Sequence, residues 1–144
     1  MSLERLIVAQ SVGQAINPLS VHGQLAGGAA QGVGYALLEE HQSRAGQVLN
    51  PNLMDYRLPT APDLPAIETV IVEGEPSAGP YGARGVGEPS IIPTAAAIAN
   101  AVADATGARI YRLPLTPEAV HAALRANGQT QASTGGEPGK GERP

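Results

Sequence analysis

The residues best suited to chemistry lie in Gly79-Pro80-Tyr81-Gly82-Ala83-Arg84-Gly85-Val86-Gly87-Glu88-Pro89, which sets one carboxylate at the end of a stiff, glycine-rich loop. Glycines without a Cβ let a ligand approach the backbone N–H groups closely. Glu88 stands just before a helix-forming stretch, and two roles suit it. As a first-turn carboxylate it is favoured by the helix dipole. As a base in a concave site it takes a proton from a bound hydroxyl group. The two roles are not exclusive.

A second polar set comes from Gln24 and Gln31, seven residues apart and therefore near one face of a helix. Each is either an exposed amide or a neutral donor to an oxygen-rich ligand lying along the glycine-rich stretch from Gly23 to Gly34. That stretch lacks the Gly-x-Gly-x-x-Gly order and has no Gly-Lys-Ser/Thr, so it supports neither a dinucleotide site nor a P-loop. Asp55, Tyr56, Arg57 and Asp63 read as structural, because turn aspartates bond to nearby backbone. Ser43 and Ser90 have no hydrolase context. His22, His41 and His121 have no short ligand spacing, so no metal site is expected from this chain's own side chains.

The elements that must position these groups follow from period and punctuation. Leu3 to Gln10 reads as a strand, and Gly13 to His22 as a turn-rich stretch with a bend at Asn17-Pro18. From Val21 or Gly23 to Glu40 or His41, Leu25, Ala29, Val33, Ala36 and Leu37 recur at helical spacing. The five glycines Gly23, Gly27, Gly28, Gly32 and Gly34 each cost such a helix about 0.5–1 kcal/mol, so its backbone must lie against another backbone or a ligand. A turn at Ala45-Gly46 leads to an irregular, proline-bounded segment from Val48 to Pro62. The β-branched residues of Ile67 to Glu73 predict a buried strand. An alanine-rich helix follows over 91–106, stopped by Gly107. Arg109 to Leu113 reads as a short strand, and Thr116-Pro117-Glu118 opens a last helix through Arg125.

The fold class expected is mixed α/β (α+β): a glycine-rich and an alanine-rich helix packed with short buried strands in one domain, residues 1–127. A disordered tail, 128–144, should follow, because it has no apolar period. Composition narrows the function. The chain has no cysteine, which removes thiolate metal sites, protein-held iron–sulfur clusters and a cysteine nucleophile. It has no Phe or Trp and a formal charge of −4, so neither base-stacking platforms nor a cationic field for nucleic acid are present. No apolar run reaches the ~20 residues of a membrane span, and a soluble, cytoplasmic protein is expected.

Eight landmarks in order carry a resemblance: Gly13-Gln14-Ala15-Ile16-Asn17-Pro18, Gly23-Gln24-Leu25-Ala26-Gly27-Gly28, Gln31-Gly32-Val33-Gly34-Tyr35-Ala36-Leu37, Asp55-Tyr56-Arg57-Leu58-Pro59-Thr60, Asp63-Leu64-Pro65, the Gly79–Pro89 loop, Ala97-Ile98-Ala99-Asn100-Ala101 and Leu113-Pro114-Leu115-Thr116-Pro117-Glu118. From about Val8 to Leu124 the chain resembles the C-terminal part of the molybdopterin-binding subunit in the xanthine dehydrogenase and aldehyde oxidase family.

The resemblance implies a component of a molybdenum hydroxylase, which inserts an oxygen from water into a C–H bond of an aldehyde or N-heterocycle. The metal is then held by the dithiolene of a molybdopterin-type cofactor rather than by side chains. Glu88 corresponds to the base that deprotonates the attacking hydroxyl group. Gln24 corresponds to a contact near the dithiolene and oxo end of the cofactor, with Ala83, Arg84, Gly85, Val86 and Gly87 wrapping the metal face through backbone. Electrons would leave through 2Fe-2S clusters to FAD, both on partner subunits.

The implied partners are a larger molybdopterin-binding subunit, an iron–sulfur subunit and a flavin subunit, with a small-molecule substrate. Family subunits are several times longer, so this chain would be a separately encoded piece or a fragment. A non-catalytic structural role in a larger oxidoreductase assembly is the alternative. Two departures stand out: Ser11 where the family often has Asp, and Arg84 where it often has Lys.

Overall fold

The computed structural model of the chain describes residues 2–134, and the surroundings of side chains as far as Gly128. Strand β1 (Arg5–Ser11) leads into the long helix α1 (Pro18–Leu37), and a small hairpin of β2 (Ser43–Arg44) and β3 (Gln47–Val48) follows. Strand β4 (Ala66–Val72) then returns parallel to β1, with Leu6 opposite Ile67 and Val8 opposite Thr69. Helices α2 (Ile91–Thr106) and α3 (Pro117–Thr134) complete the chain. The β1-α1-β4 unit is a parallel pair joined by a crossover helix, as parallel strands require.

Helix α1 is the spine. Val21, Leu25, Ala29, Val33 and Ala36 recur at spacings of three and four and are buried. The first three meet Val8, Val12, Leu6, Ile67 and Ile71 from the sheet. The last two meet Ile98 and Val102 of α2 and Leu115. Full burial of a Val or Leu side chain contributes about 1.5–3 kcal/mol, so this single ridge ties sheet and helices together.

The helix starts earlier than expected. Asn17-Pro18 is not a bend but the N-cap and first turn, with the Asn17 side chain accepting a hydrogen bond from the Ser20 N–H at 3.1 Å. It stops at Leu37, where the N–H groups of Leu38 and Glu39 both donate to the Gly34 carbonyl.

Two glycines explain the poor helix propensity. A Cβ on Gly32 would come within 2.5 Å of Thr94 Cβ, and one on Gly28 would collide with Ser90 Oγ, so α1 and α2 approach through these positions. Gly23 and Gly27 face open space instead.

Helix α2 has the expected bounds and ends on Gly107, which is left-handed at φ 68°. The hairpin tip is Ala45-Gly46, both at positive φ, and the buried Asn50 pins its base by donating to the Glu40 carbonyl at 2.6 Å and accepting from the Gln42 N–H at 2.9 Å.

Three differences from expectation have physical causes. β4 is half-buried rather than buried: its residues alternate, with Val70 and Val72 exposed, because α1 covers one face of the sheet. Among the described residues no strand pairs with Arg109–Leu113; it is held by side chains, Arg109 to Asn100 at 3.0 Å and Arg112 to Glu40 at 2.9 Å, and the Leu115 N–H then donates to the Ala36 carbonyl. Helix α3 runs past Arg125 and Gly128 to Thr134, so the expected tail begins as helix; the rest of it, 135–144, lies outside the described residues.

Candidate functional site

The loop from Ser77 to Arg84 is bolted to the segment after β1. Gln14 N–H and Ser77 N–H both donate to the Gly82 carbonyl, at 3.0 and 3.1 Å, and Arg84 N–H donates to the Val12 carbonyl at 2.8 Å. Ser77 Oγ accepts from Gly79 N–H and donates to the Ala83 carbonyl. Gly13 is required where the two strands cross: its φ is +63°, and a Cβ there would collide with the Gly82 carbonyl oxygen. Tyr81, at φ 55°, takes the left-handed conformation with its side chain in solvent.

This bolting brings sequence-distant residues to one place. Gln24, Ala83, Arg84 and Val86 line a single cleft of about 170 Å³, together with Gln14 and Asn17. Gly85 and Gly87 do not line it, but each is open, with no atom within 4 Å of where a Cβ would stand. The backbone at Gly85 and Gly87 is therefore accessible, in the same loop as the Arg84 guanidinium.

Glu88 lies just past the loop, exposed. It does not cap α2: Ser90 holds the N-cap position and the first turn contains no acidic residue. What Glu88 contributes to the helix is its carbonyl, which accepts from the Ile91 N–H at 3.1 Å. The first-turn reading of its carboxylate is thereby replaced by a free one. Ser90 is fully buried and its Oγ donates to the Gln24 carbonyl at 3.3 Å, which links the Glu88 end of the loop to α1.

The other polar candidates serve structure. Gln31 donates to Tyr35 at 3.0 Å, away from the cleft lining. Asp63 accepts from both the side chain and the N–H of Thr60, and these bonds hold its carboxyl below the usual carboxylate range. Tyr56 donates to Glu39 at 2.6 Å, which raises its phenol above its ordinary value. His22 pairs with Thr69. Among the described residues no three His, Asp or Glu side chains gather to hold a metal ion.

One contact escaped the reading of the sequence. Arg84 Nη1 donates to Ser11 Oγ at 2.9 Å, across 73 residues. The two positions at which the chain departs from the pattern it resembles are partners of one another. Gln14, Asn17 and Ser20 also line the cleft. Their signal was the Asn-Pro pair, which marks a helix start as well as it marks a bend.

A family model described as a molybdopterin cofactor-binding domain matches residues 1–65, which include Gln24. The xanthine dehydrogenase molybdenum-binding subunit of Escherichia coli O157:H7 is 46% identical over 123 residues, 84% of this chain. The chain belongs to the xanthine dehydrogenase and aldehyde oxidase family.

Solved structures of this family share its fold. Quinoline 2-oxidoreductase from Pseudomonas putida 86 is similar at a TM-score of 0.80 with 35% identity, over 86% of this chain and 16% of that one. The aldehyde oxidoreductase of Desulfovibrio gigas is similar at a TM-score of 0.78 with 37% identity, over 86% of this chain and 14% of that one. The chain also spans only 16% of the length of the E. coli O157:H7 subunit.

The residues present fit the family's molybdopterin cofactor. Such a group brings its own sulfur ligands to the metal. What it needs from protein is donors to oxygen, sulfur and phosphate, and the Gln24 amide, the Arg84 guanidinium and the open backbone at Gly85 and Gly87 are of that kind. The cleft by itself is too small to enclose the whole group, since pockets for cofactors run to roughly 300–1,000 Å³.

Proposed function

We propose that this chain contributes part of the molybdopterin pocket and the base carboxylate, Glu88, of a molybdenum hydroxylase acting on an aldehyde or an N-heterocycle. The observation that carries the reading is the convergence of Gln24, Ala83, Arg84 and Val86 on one cleft, with an unengaged carboxylate four residues beyond Arg84. The small volume of the cleft supports a shared pocket, completed by a larger molybdopterin-binding subunit.

When bound, the cofactor supplies the two-electron oxidant and activates water for attack on the substrate carbon. The chain's part is to hold and orient. Gln24 donates an amide N–H without bringing charge, and Arg84, fixed by Ser11, offers a guanidinium that favours anionic groups. Gly85 and Gly87 present bare backbone at close range. Glu88 accepts a proton on a carboxylate oxygen from the attacking hydroxyl group as it reacts, which requires placement more than basicity. The chain has no cysteine to ligate iron, so in this reading the 2Fe-2S clusters sit on an iron–sulfur subunit, and the FAD is placed on a flavin subunit by the family resemblance.

The test is Glu88→Gln in the assembled enzyme, assayed by single-turnover reduction with an aldehyde and with an N-heterocycle, normalised to bound molybdenum. Molybdenum content should be retained and the rate should fall by the ~10²–10⁴-fold that general-base assistance supplies. Near wild-type reduction on a confirmed substrate would sink the base assignment and favour a structural role in the assembly.

A further inference from the structure

The sheet stops at two strands, and the place of the next strand is marked. At its ends β1 bonds to β4's side through Glu4, whose carbonyl accepts from Ala66 N–H, and Val12, whose N–H donates to the Val72 carbonyl. Hydrogen-bonding direction alternates along a strand, so the even-numbered residues of β1 face β4 and the N–H and C=O groups of Ile7 and Ala9 point out of the other edge. Among the described residues no backbone group meets them there. Exposed, apolar strand edges template pairing with another chain.

The space beyond that edge is empty but walled. A void of about 150 Å³ separates Ile7, Val8 and Ala9 from Pro93 and Ala97 of α2. It is followed by a larger one of about 590 Å³ between Leu3–Arg5 and Ala101 and Ala105. Pro93, Ala97, Ala101 and Ala105, spaced by four, form a low exposed stripe that runs antiparallel to β1. While α1 covers the β1–β4 pair, α2 stands over the vacant position beside β1. A two-stranded parallel sheet with an open edge is an incomplete unit, since parallel sheets are stable when covered and extended.

We infer that a strand from the remainder of the molybdenum-binding subunit adds to the free edge of β1 and is roofed by the alanine stripe of α2. The inference rests on the family reading above. Most of a full-length relative lies outside the region matched here, since the chain spans 16% of the E. coli O157:H7 subunit. The chain's own last residues do not suit the slot: from Gly128 to Pro144 there is no Val, Ile, Leu or aromatic residue to face the stripe. The occupant is therefore an extended, uncharged segment whose alternate side chains are apolar and small enough to lie over alanine.

The experiment co-expresses the full chain with the polypeptide of the same organism that corresponds to the rest of the subunit. Residue-resolved hydrogen exchange is then compared for the chain alone and the assembly. The Ile7 and Ala9 amides should exchange at least about 100-fold more slowly in the assembly. Ala9→Pro removes an outward N–H rather than one that bonds β4, though its ring also fixes φ and restricts Val8, and Ala101→Arg raises a charged wall on an exposed helix position; each should weaken assembly at least tenfold with the helix content of the chain unchanged. If Ala9→Pro misfolds, Ala101→Arg carries the test.

Unchanged exchange at Ile7 and Ala9 in the assembly, wild-type assembly by Ala101→Arg, or failure of the two polypeptides to associate overturns the inference. So does protection in the chain alone accompanied by a dimer mass, which would make a second copy the occupant. Molybdenum is measured on the same assembly: protection without molybdenum keeps the docking and removes the cofactor reading, and molybdenum with unprotected amides does the reverse.

Discussion

Alanine substitutions at three glycines of α1 should give three different answers. Gly27 faces open space, so Gly27→Ala removes backbone entropy from the unfolded chain without a steric cost and should stabilise by about 0.5–1 kcal/mol. At Gly32 the new methyl meets Thr94 Cβ at 2.5 Å and Cγ2 at 2.7 Å. Rotation of Thr94 cannot move its Cβ, so α1 and α2 must part. Overpacking of that kind costs about 1–3 kcal/mol, which outweighs the gain in helix propensity and leaves a net loss of about 1–2 kcal/mol.

Gly28 falls between the two. Its obstacle is the Oγ of Ser90, which can turn away at the expense of its bond to the Gln24 carbonyl. Urea unfolding of the three variants should therefore rank Gly27→Ala above wild type, then Gly28→Ala, then Gly32→Ala, with the extremes about 2–3 kcal/mol apart and parallel denaturant slopes. Equal stability of Gly27→Ala and Gly32→Ala would refute the close approach of the two helices. Rescue supplies an internal check: Ser90→Ala should restore Gly28→Ala and leave Gly32→Ala unchanged.

Two further perturbations test the surroundings of the site. Asn50→Ala removes both side-chain bonds at the base of the hairpin and should cost about 1–3 kcal/mol or free the hairpin locally, seen as faster exchange of the Gln42 amide. Asp63, whose carboxyl is lowered first by the Thr60 hydroxyl and then by the Thr60 N–H, contributes stability that is present above the unfolded carboxylate value near about pH 4 and lost as pH falls through its lower folded value. Asp63→Asn should thus be less stable than wild type at neutral pH, with the gap closing in urea titrations as pH falls below the ordinary carboxylate range.

How much of this was legible depended on whether a signal was local. Helix α2 was readable to the residue because Gly107 and the alanine run act over one turn. Asn17-Pro18 was equally local but ambiguous, and the bend reading lost to the cap because the side chain of Asn17 found the Ser20 N–H. The strand expected at Arg109–Leu113 failed for a non-local reason: a strand needs a neighbour, and none of the described residues runs beside it. The Ser11–Arg84 bond spans 73 residues and has no periodic trace in one sequence. The residues of the cleft could be named from the resemblance; that four of them share it follows only from the crossing at Gly13.

That crossing fastens the loop at more than one point. The loop is fastened at Arg84 N–H to Val12 and at Gly82 to Gln14, and it is fastened again where Ile91 N–H meets the Glu88 carbonyl and Ser90 enters the space left by Gly28. Between the two fastenings lie Gly85, Val86 and Gly87, of which only Val86 packs against the core beneath α1. Ser90 also holds the carbonyl of Gln24, so the backbone that carries Gln24 and the end of the loop that carries Glu88 are tied together at one buried residue. Under the proposed reading, a backbone fastened on both sides of Glu88 is what a weak base would need, because its contribution depends on geometry set before the proton moves. The glycines that weaken α1 as a helix thus have a purpose at Gly28: the missing Cβ lets α2 come close enough for Ser90 to reach the Gln24 carbonyl.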